Sequence, residues 1–259
     1  MDSFDSHSHL DAAEFDSDRQ QVLQRARAAG VTGQLVPAVD AAGWGKLREI
    51  CHSDPGLHAA YGLHPLFLAS HRPEHLKLLP EWIDREKPVA IGECGLDFFI
   101  AGLDAESQRR YFRQQLGIAR EFALPVVIHA RRAVEEVIMA LRAIGGLSGV
   151  IHSYPGSEEQ ARQLMDMGFA LGIGGPVTYE RANRLRRLVS HMPLHWLLLE
   201  TDSPDQPGAA DRGQRNEPAR LLSVMETVAA LREVSVQIIA RASVDNARRI
   251  FRLPAPLPD

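Results

Sequence analysis

Seven residues in this chain are spaced so that they can do chemistry together: His7, His9, His64, Glu93, His129, His152 and Asp202. Each stands where an apolar run of strand length gives out. His7 and His9 follow Phe4-Asp-Ser. In extended backbone, residues two apart share a face, so both imidazoles can reach one ion. His64 lies in Gly62-Leu-His-Pro, Glu93 ends Ala90-Ile-Gly-Glu, and His129 ends Pro125-Val-Val-Ile-His. His152 ends Val150-Ile-His, and Asp202 follows Trp196-Leu-Leu-Leu-Glu. The four imidazoles of His7, His9, His129 and His152, with the carboxylates of Glu93 and Asp202, exceed the three or four protein ligands of one catalytic zinc. They suit two divalent ions roughly 3.5–4 Å apart that share a carboxylate. Mixed nitrogen and oxygen donors favour zinc, manganese or iron over calcium; zinc, manganese and magnesium are the cofactors to test. Such ions make nearby water acidic near neutral pH and offset negative charge growing on a phosphoryl or acyl oxygen.

Residues so far apart in the chain need a scaffold that returns to the same end many times. Strand-length apolar runs are expected over Ser3 to His9, Gln34 to Val39, His58 to Gly62, Val89 to Glu93, Val126 to His129, Val150 to His152, Phe169 to Ile173 and Trp196 to Glu200. Several are too continuously apolar for a half-exposed antiparallel sheet and read as strands buried on both faces. Helical periodicity fills Asp16 to Ala29, Ala105 to Phe122, Arg131 to Ile144, Ser157 to Met167, Thr178 to His191, Glu217 to Arg232 and Val236 to Phe251. Eight strands alternating with helices imply parallel pairing and right-handed crossovers, and eight closes a barrel. The expected fold is an α/β (β/α)8 TIM barrel forming a single domain over residues 1–253, with a C-terminal tail at 254–259. In such barrels catalytic groups sit at the carboxyl ends of the strands. The seven residues fall there, on six strands. The other six histidines do not: His52, His71, His75 and His191 are on helices or loops, and His58 and His195 are at or before strand starts. These six are read as surface or packing residues.

Other positions carry weaker signals. Arg131 and Arg132 directly follow the strand of His129 and can hold a substrate phosphate or simply form a solvated first turn. Tyr154 can wall the pocket, stack on a base or pack. Asp97 can orient a ligand or cap a turn. Cys94 points away from Glu93, into the core. Ser203 to Asn216 is a long polar loop at the active end, suited to substrate contact. The run Arg181, Arg184, Arg186, Arg187 reads as a solvated helix face. The formal net charge is −4, whereas a protein that tracks nucleic acid along an extended groove is usually basic; a nucleic-acid substrate would be gripped by few phosphates or through bound cations. Two cysteines, Cys51 and Cys94, in no spacing motif, and an N-terminal Met1-Asp-Ser-Phe-Asp-Ser with neither basic nor apolar segment, point to a reduced cytoplasmic protein. No apolar stretch is long enough for a membrane span, and no obligate protein partner is evident.

Phe4-Asp-Ser-His-Ser-His-Leu-Asp, Gly62-Leu-His-Pro, Ile91-Gly-Glu-Cys-Gly-Leu-Asp, Pro125-Val-Val-Ile-His, Gly149-Val-Ile-His-Ser-Tyr-Pro-Gly-Ser, Leu199-Glu-Thr-Asp-Ser-Pro and Asn216-Glu-Pro together resemble the motifs of the TatD-type metal-dependent deoxyribonucleases, from residue 2 to about residue 253. The Gly172-Ile-Gly-Gly-Pro-Val-Thr-Tyr segment is most similar to the bacterial YjjV-like branch. The resemblance implies an amidohydrolase-like barrel in which His7, His9, Glu93 and Asp202 serve one ion. Glu93, His129 and His152 would serve the other, with Glu93 bridging. It implies that Asp202 accepts a proton from the attacking water and that His64 lies near the substrate phosphate rather than on a metal. The implied reaction is hydrolysis of DNA phosphodiesters, often from the 3′ end, with single-stranded DNA or 3′ ends as partner. Ser6, Ser8 and Pro155 depart from the family's frequent residues without touching a ligand position. The same chemistry also serves ester or amide hydrolysis, as of an aminoacyl-tRNA or a small cyclic amide. A binding protein without turnover is disfavoured, because every ligand position is intact.

Overall fold

A computed structural model describes residues 1–254. Eight parallel strands run in chain order round one sheet: β1 (Ser3–Asp5), β2 (Val31–Pro37), β3 (Leu57–Tyr61), β4 (Ala90–Asp97), β5 (Val126–Arg131), β6 (Gly149–Ile151), β7 (Phe169–Ile173) and β8 (Leu197–Leu199). Outside them pack α1 (Arg19–Ala28), α2 (Trp44–His52), α3 (Pro73–Glu86), α4 (Ala105–Glu121), α5 (Val134–Ile144), α6 (Glu158–Asp166), α7 (Asn183–His191), α8 (Leu221–Arg232) and α9 (Val236–Phe251). The barrel is the one the sequence predicts. It closes between its first and last strands through the segments just beyond them. Ser6 N–H donates to the Leu199 carbonyl at 2.8 Å, Asp202 N–H to that of His7 at 2.9 Å, and His9 N–H to that of Ser203 at 2.7 Å. Closure therefore sets His7 and His9 beside Asp202.

Two apolar layers hold this frame. The outer one lies between strands and helices. The inner one takes one residue from each strand: Phe4, Leu35, Ala60, Ala90, Val127, Val150, Ala170 and Leu198. Ala247, Ile250 and Phe251 of α9 cover this ring at the end where the strands begin. Two-residue alternation then determines what lies above it. His129 follows Val127, His152 follows Val150, and Glu200 and then Asp202 follow Leu198. Strict alternation would turn Glu93 outward, since Ala90 is inside. The register of β4 on β5 shifts between Ile91 and Cys94, and such irregularities re-aim side chains. Glu93 faces inward as a result, while Cys94 packs in the outer layer.

Some boundaries differ from the periodicity. The helices α2 and α3 lie where none is expected. Glycines flank Trp44 at the start of α2, and Pro80 sits inside α3, so both segments carry helix-breaking residues that outer-layer packing overrides. The strand β4 runs four residues past Glu93, and β5 extends to Arg131, so the helix expected from Arg131 begins at Val134. The expected helix over Thr178 to His191 is reduced to α7, preceded by a single 3-10 turn. No helix among the described residues is long and apolar enough to cross a membrane. Of the tail expected at residues 254–259, all but Pro254 lies outside the described residues.

The inner ring depends on its α9 cover. Phe251 is 2% exposed and its ring centroid lies 6.4 Å from that of Phe4. Phe251→Ala is expected to cost about 3–5 kcal/mol of stability, seen as a lower denaturant midpoint; an unchanged midpoint would show that α9 is not needed to seal the barrel.

Candidate metal centre

The structure brings all seven predicted residues together at one end of the barrel. Glu93 is at the middle and 1% exposed. Its two carboxylate oxygens face different neighbours. His7 Nε2 lies 3.0 Å and His9 Nε2 3.4 Å from Oε2. The two ring nitrogens are 3.3 Å apart, and Asp202 Oδ1 is 3.5 and 3.6 Å from them. On the other side, His152 Nε2 lies 2.9 Å and His129 Nδ1 3.2 Å from Oε1, and these nitrogens are 3.2 Å apart. Four donors placed about 2.0–2.2 Å from one ion at tetrahedral angles stand about 3.3–3.6 Å from each other. The set around Oε2 runs from 3.0 to 3.6 Å, near that spacing but for His7, and the set around Oε1 runs tighter, from 2.9 to 3.2 Å. Both Glu93 oxygens are buried without a hydrogen-bond partner, which is costly for polar atoms left so. The cluster can hold metal ions, and cations would satisfy these atoms together.

The far nitrogens of the rings decide which lone pairs point inward. His9 Nδ1 lies 3.2 Å from the Pro37 carbonyl and His129 Nε2 lies 2.9 Å from Asp97 Oδ2. Each is thereby the N–H nitrogen of its ring, and the other is free to ligate, an arrangement general among metal-binding histidines. His64 has the opposite arrangement. Its Nδ1 accepts from Leu66 N–H at 3.1 Å, so Nε2 carries the proton and lies 2.9 Å from Glu93 Oε1. With this tautomer His64 turns an N–H toward Glu93, while its ring also forms, with Glu93 and His129, a trio spaced to hold an ion. His71, read from the sequence as a surface or packing residue, is buried and its Nε2 lies 2.8 Å from the His64 carbonyl, bracing that residue from behind.

Protonation follows burial and neighbours. Burial would raise Glu93, but His64, His152 and His7 outweigh it and hold the carboxyl well below its usual range. Burial lowers His64 to about 4. Burial would also lower His9, but Glu93 and Asp202 carry it up to about 9. Burial lifts Asp202 to about 6 despite His152 and His9. Asp97 would likewise rise on burial, but its bonds from His129, Ile100 and Phe99 hold it at about 2.

Several residues that build the site carry no mark in the sequence pattern. Asp5 is buried and accepts from His7 N–H at 3.2 Å, Thr201 N–H at 3.0 Å and the Thr201 hydroxyl at 2.6 Å. It ties the first strand to the last directly beneath the ligands. Burial pushes its carboxyl up to about 8. Glu200 is buried and accepts from Ser153 N–H; its Oε1 lies 3.6 Å from His152 Nδ1. Gln206 donates to Asp202 Oδ2 and accepts from the Ser153 hydroxyl at 2.8 Å. The available signals were polar residues one or two positions from a marked ligand, as in Asp5-Ser-His7 and Glu200-Thr-Asp202.

Among the less certain positions, Asp97 does both things open to it: Oδ2 holds His129 and Oδ1 accepts from Phe99 and Ile100 N–H. Tyr154 is 3% exposed and its hydroxyl donates to the Ser157 carbonyl at 2.6 Å. It therefore walls the neighbouring cavity and presents no open face for a base. That cavity, about 520 Å³, is lined by Ser153, Tyr154, Gly172, Ile173, Arg181 and Arg184 among others. The arginine run is thus divided. Arg181 and Arg184 face the cavity, Arg186 donates to the Val177 carbonyl at 2.9 Å, and Arg187 pairs with Glu158 at 3.1 Å. Arg131 is exposed at the rim.

The description of TatD related DNases matches this chain over residues 4–252. An uncharacterized metal-dependent hydrolase of Bacillus subtilis, YabD, is 37% identical over 252 residues, covering 96% of this chain and 99% of that protein. The 3′-5′ ssDNA/RNA exonuclease TatD of Erwinia billingiae is 35% identical, covering 97% of this chain and all of its own length. The crystal structure of YjjV, a TatD homologue from Escherichia coli K12, superposes with a TM-score of 0.93 at 36% identity, covering 97% of this chain and 98% of that one.

If Asp97 sets the tautomer of His129, Asp97→Asn should weaken metal binding by about 10–100-fold while the thermal transition is retained. Competition against a chelating dye measures this, and wild-type affinity would reduce Asp97 to a loop cap.

Proposed function

Because the chain belongs to the TatD related DNase family and is a metal-dependent hydrolase of that family, we propose that it cleaves phosphodiester bonds at the 3′ end of single-stranded DNA, using two divalent ions. The observation that carries this reading is the division of Glu93. Oε2 lies against His7 and His9, which also face Asp202, and Oε1 lies against His64, His129 and His152, a division that would suit a carboxylate shared between two ions. The relative of Erwinia billingiae named as a 3′-5′ ssDNA/RNA exonuclease supports the substrate class.

The ions, when bound, would supply Lewis acidity, making water a better nucleophile and offsetting charge on the phosphoryl oxygens. His7, His9, Glu93 and Asp202 would hold one, and Glu93, His129 and His152 the other. Asp202 is the proton acceptor in this scheme. Its Oδ2 is fixed by Gln206, which aims the carboxylate, and it takes the proton given up as water oxygen bonds to phosphorus. The bond that breaks runs from phosphorus to the O3′ of the preceding nucleotide, which leaves as a hydroxyl by taking up the proton held on Asp202. His64 keeps Glu93 in place through Nε2 and borders the space a substrate phosphate would fill. Arg131, exposed at the same rim, takes a phosphate oxygen; a guanidinium suits that task.

The test is a substrate panel of single-stranded DNA, duplex DNA, RNA, a chromogenic phosphodiester, aminoacyl-tRNA and cyclic amides, each with zinc, manganese or magnesium. Metal-dependent release of nucleotides from single-stranded DNA is expected, stopped by chelator and restored by metal. Glu93→Gln and Asp202→Asn should each lower kcat by at least about 100-fold with the fold preserved. Deacylation of aminoacyl-tRNA without DNA cleavage would move the substrate to the acyl class, and undiminished DNA turnover by both variants would remove these residues from the mechanism.

A further inference from the structure

Four of the nine large apolar side chains exposed among the described residues are Leu66, Phe67, Phe99 and Ile100. They sit on just two loops. Leu66 and Phe67 lie in the 3-10 segment between β3 and α3, directly after His64. Phe99 and Ile100 lie between β4 and α4, directly after Asp97. The order of strands places these loops side by side at the end of the barrel that holds Glu93. Phe99 is 44% and Phe67 42% exposed, an uncommon outlay of aromatic surface beside a polar site.

The surroundings of Phe99 indicate what it meets. The guanidinium carbon of Arg131 lies 3.7 Å from its ring centroid and that of Arg132 4.7 Å. Neither guanidinium has a carboxylate partner among the described residues, whereas nearby Arg109 is paired with Glu106 and Glu136. The loop is not left to drift. Asp97 Oδ1 accepts from Phe99 N–H at 2.9 Å and from Ile100 N–H at 3.1 Å, while its Oδ2 holds His129. One carboxylate thus fixes the ring at the rim and a ligand within it. Phe67 lies on the adjoining loop with its ring 5.8 Å from that of His64.

An exposed aromatic ring combined with unpaired guanidinium groups matches a flexible polyanion with planar bases. Bases stack on rings or on guanidinium planes, and the cations meet the intervening phosphates. We propose that Phe99, with Arg131 and Arg132, is the stacking platform that holds the bases of single-stranded nucleic acid across the β3–β5 side of the rim, with Phe67 as a second stacking face. The proposal rests on the nucleic-acid reading above and adds to it where the strand lies and why it must be single: paired bases cannot offer their faces. Selectivity for single strands then comes from the rim, not from the ions.

The test compares metal-loaded wild type with Phe99→Ala, Phe99→Trp and the double variant Arg131→Ala/Arg132→Ala. Binding of a cleavage-resistant phosphorothioate oligothymidylate is followed by anisotropy, and turnover of a small chromogenic phosphodiester is measured in parallel. Phe99→Ala should weaken oligonucleotide binding by about tenfold, Phe99→Trp should restore it, and neither should alter chromogenic turnover. A chain of baseless tetrahydrofuran spacers should bind wild type and Phe99→Ala equally. The double variant should lower the slope of log affinity against log salt by roughly 0.7 for each phosphate that is no longer neutralised. Equal oligonucleotide binding by wild type and Phe99→Ala overturns the proposal. So does loss of chromogenic turnover in Phe99→Ala, which would place the ring's effect on the site itself, or a change in self-association in place of binding, which would make the patch a protein contact. Chromogenic turnover without oligonucleotide binding by wild type removes the platform but leaves phosphodiester hydrolysis; absence of both removes both.

Discussion

A single buried carboxylate, Glu93, faced by five imidazoles, is the constraint around which the rest of this structure is arranged. Placing so many polar groups above an apolar barrel interior is unfavourable unless each is paired. Hydrogen bonds among the side chains satisfy only part of the demand. His64 Nε2 lies 2.9 Å from Glu93 Oε1, yet His7 and His9 turn ring nitrogens toward each other at 3.3 Å, as do His129 and His152 at 3.2 Å. Divalent cations would resolve these contacts in one stroke, because each inward lone pair would then face positive charge.

The barrel supplies the positions and the surrounding polar residues supply the orientation. Closure between β1 and β8 lies at the level of the ligands, so the bonds that seal the barrel also set His7, His9 and Asp202 side by side. Asp5 and Thr201 reinforce that seam from below. Asp97, the Pro37 carbonyl and Leu66 N–H select the tautomers of His129, His9 and His64. The rings of His9 and His129, whose outer nitrogens donate, can ligate through the other, and the ring of His64, whose outer nitrogen accepts, turns an N–H toward Glu93.

Much of this was legible in the sequence. Eight apolar runs with polar residues at their carboxyl ends suffice to predict the barrel, and the seven residues assemble where strand ends place them. The parts that were not legible have physical causes. Alternation alone turns Glu93 outward; only the register shift on β5 turns it in. The helices α2 and α3 contain residues that weaken helical periodicity and form because the outer layer covers them. Asp5, Glu200 and Gln206 act through other side chains, and their partners are distant in the chain or across a loop. Tyr154 shares its strand end with His152, but its hydroxyl folds back onto the Ser157 carbonyl, a local bond that composition does not reveal. The exposure of Phe99 and its pairing with Arg131 are likewise properties of two loops that meet only in three dimensions.

In the proposed function the metal centre and the rim would divide the work: the ions and Asp202 would act on one phosphate, while the side chains above would determine which polymer delivers it. Glu93, as a carboxylate shared between two ions, is the element on which the proposed site depends. Its most direct test is elemental analysis of folded, dialysed protein, read beside the Glu93→Ala variant. Two divalent ions per wild-type chain, with neither retained by the folded variant, is the predicted result. A wild-type chain that holds no ion, or a variant that keeps both, would contradict it.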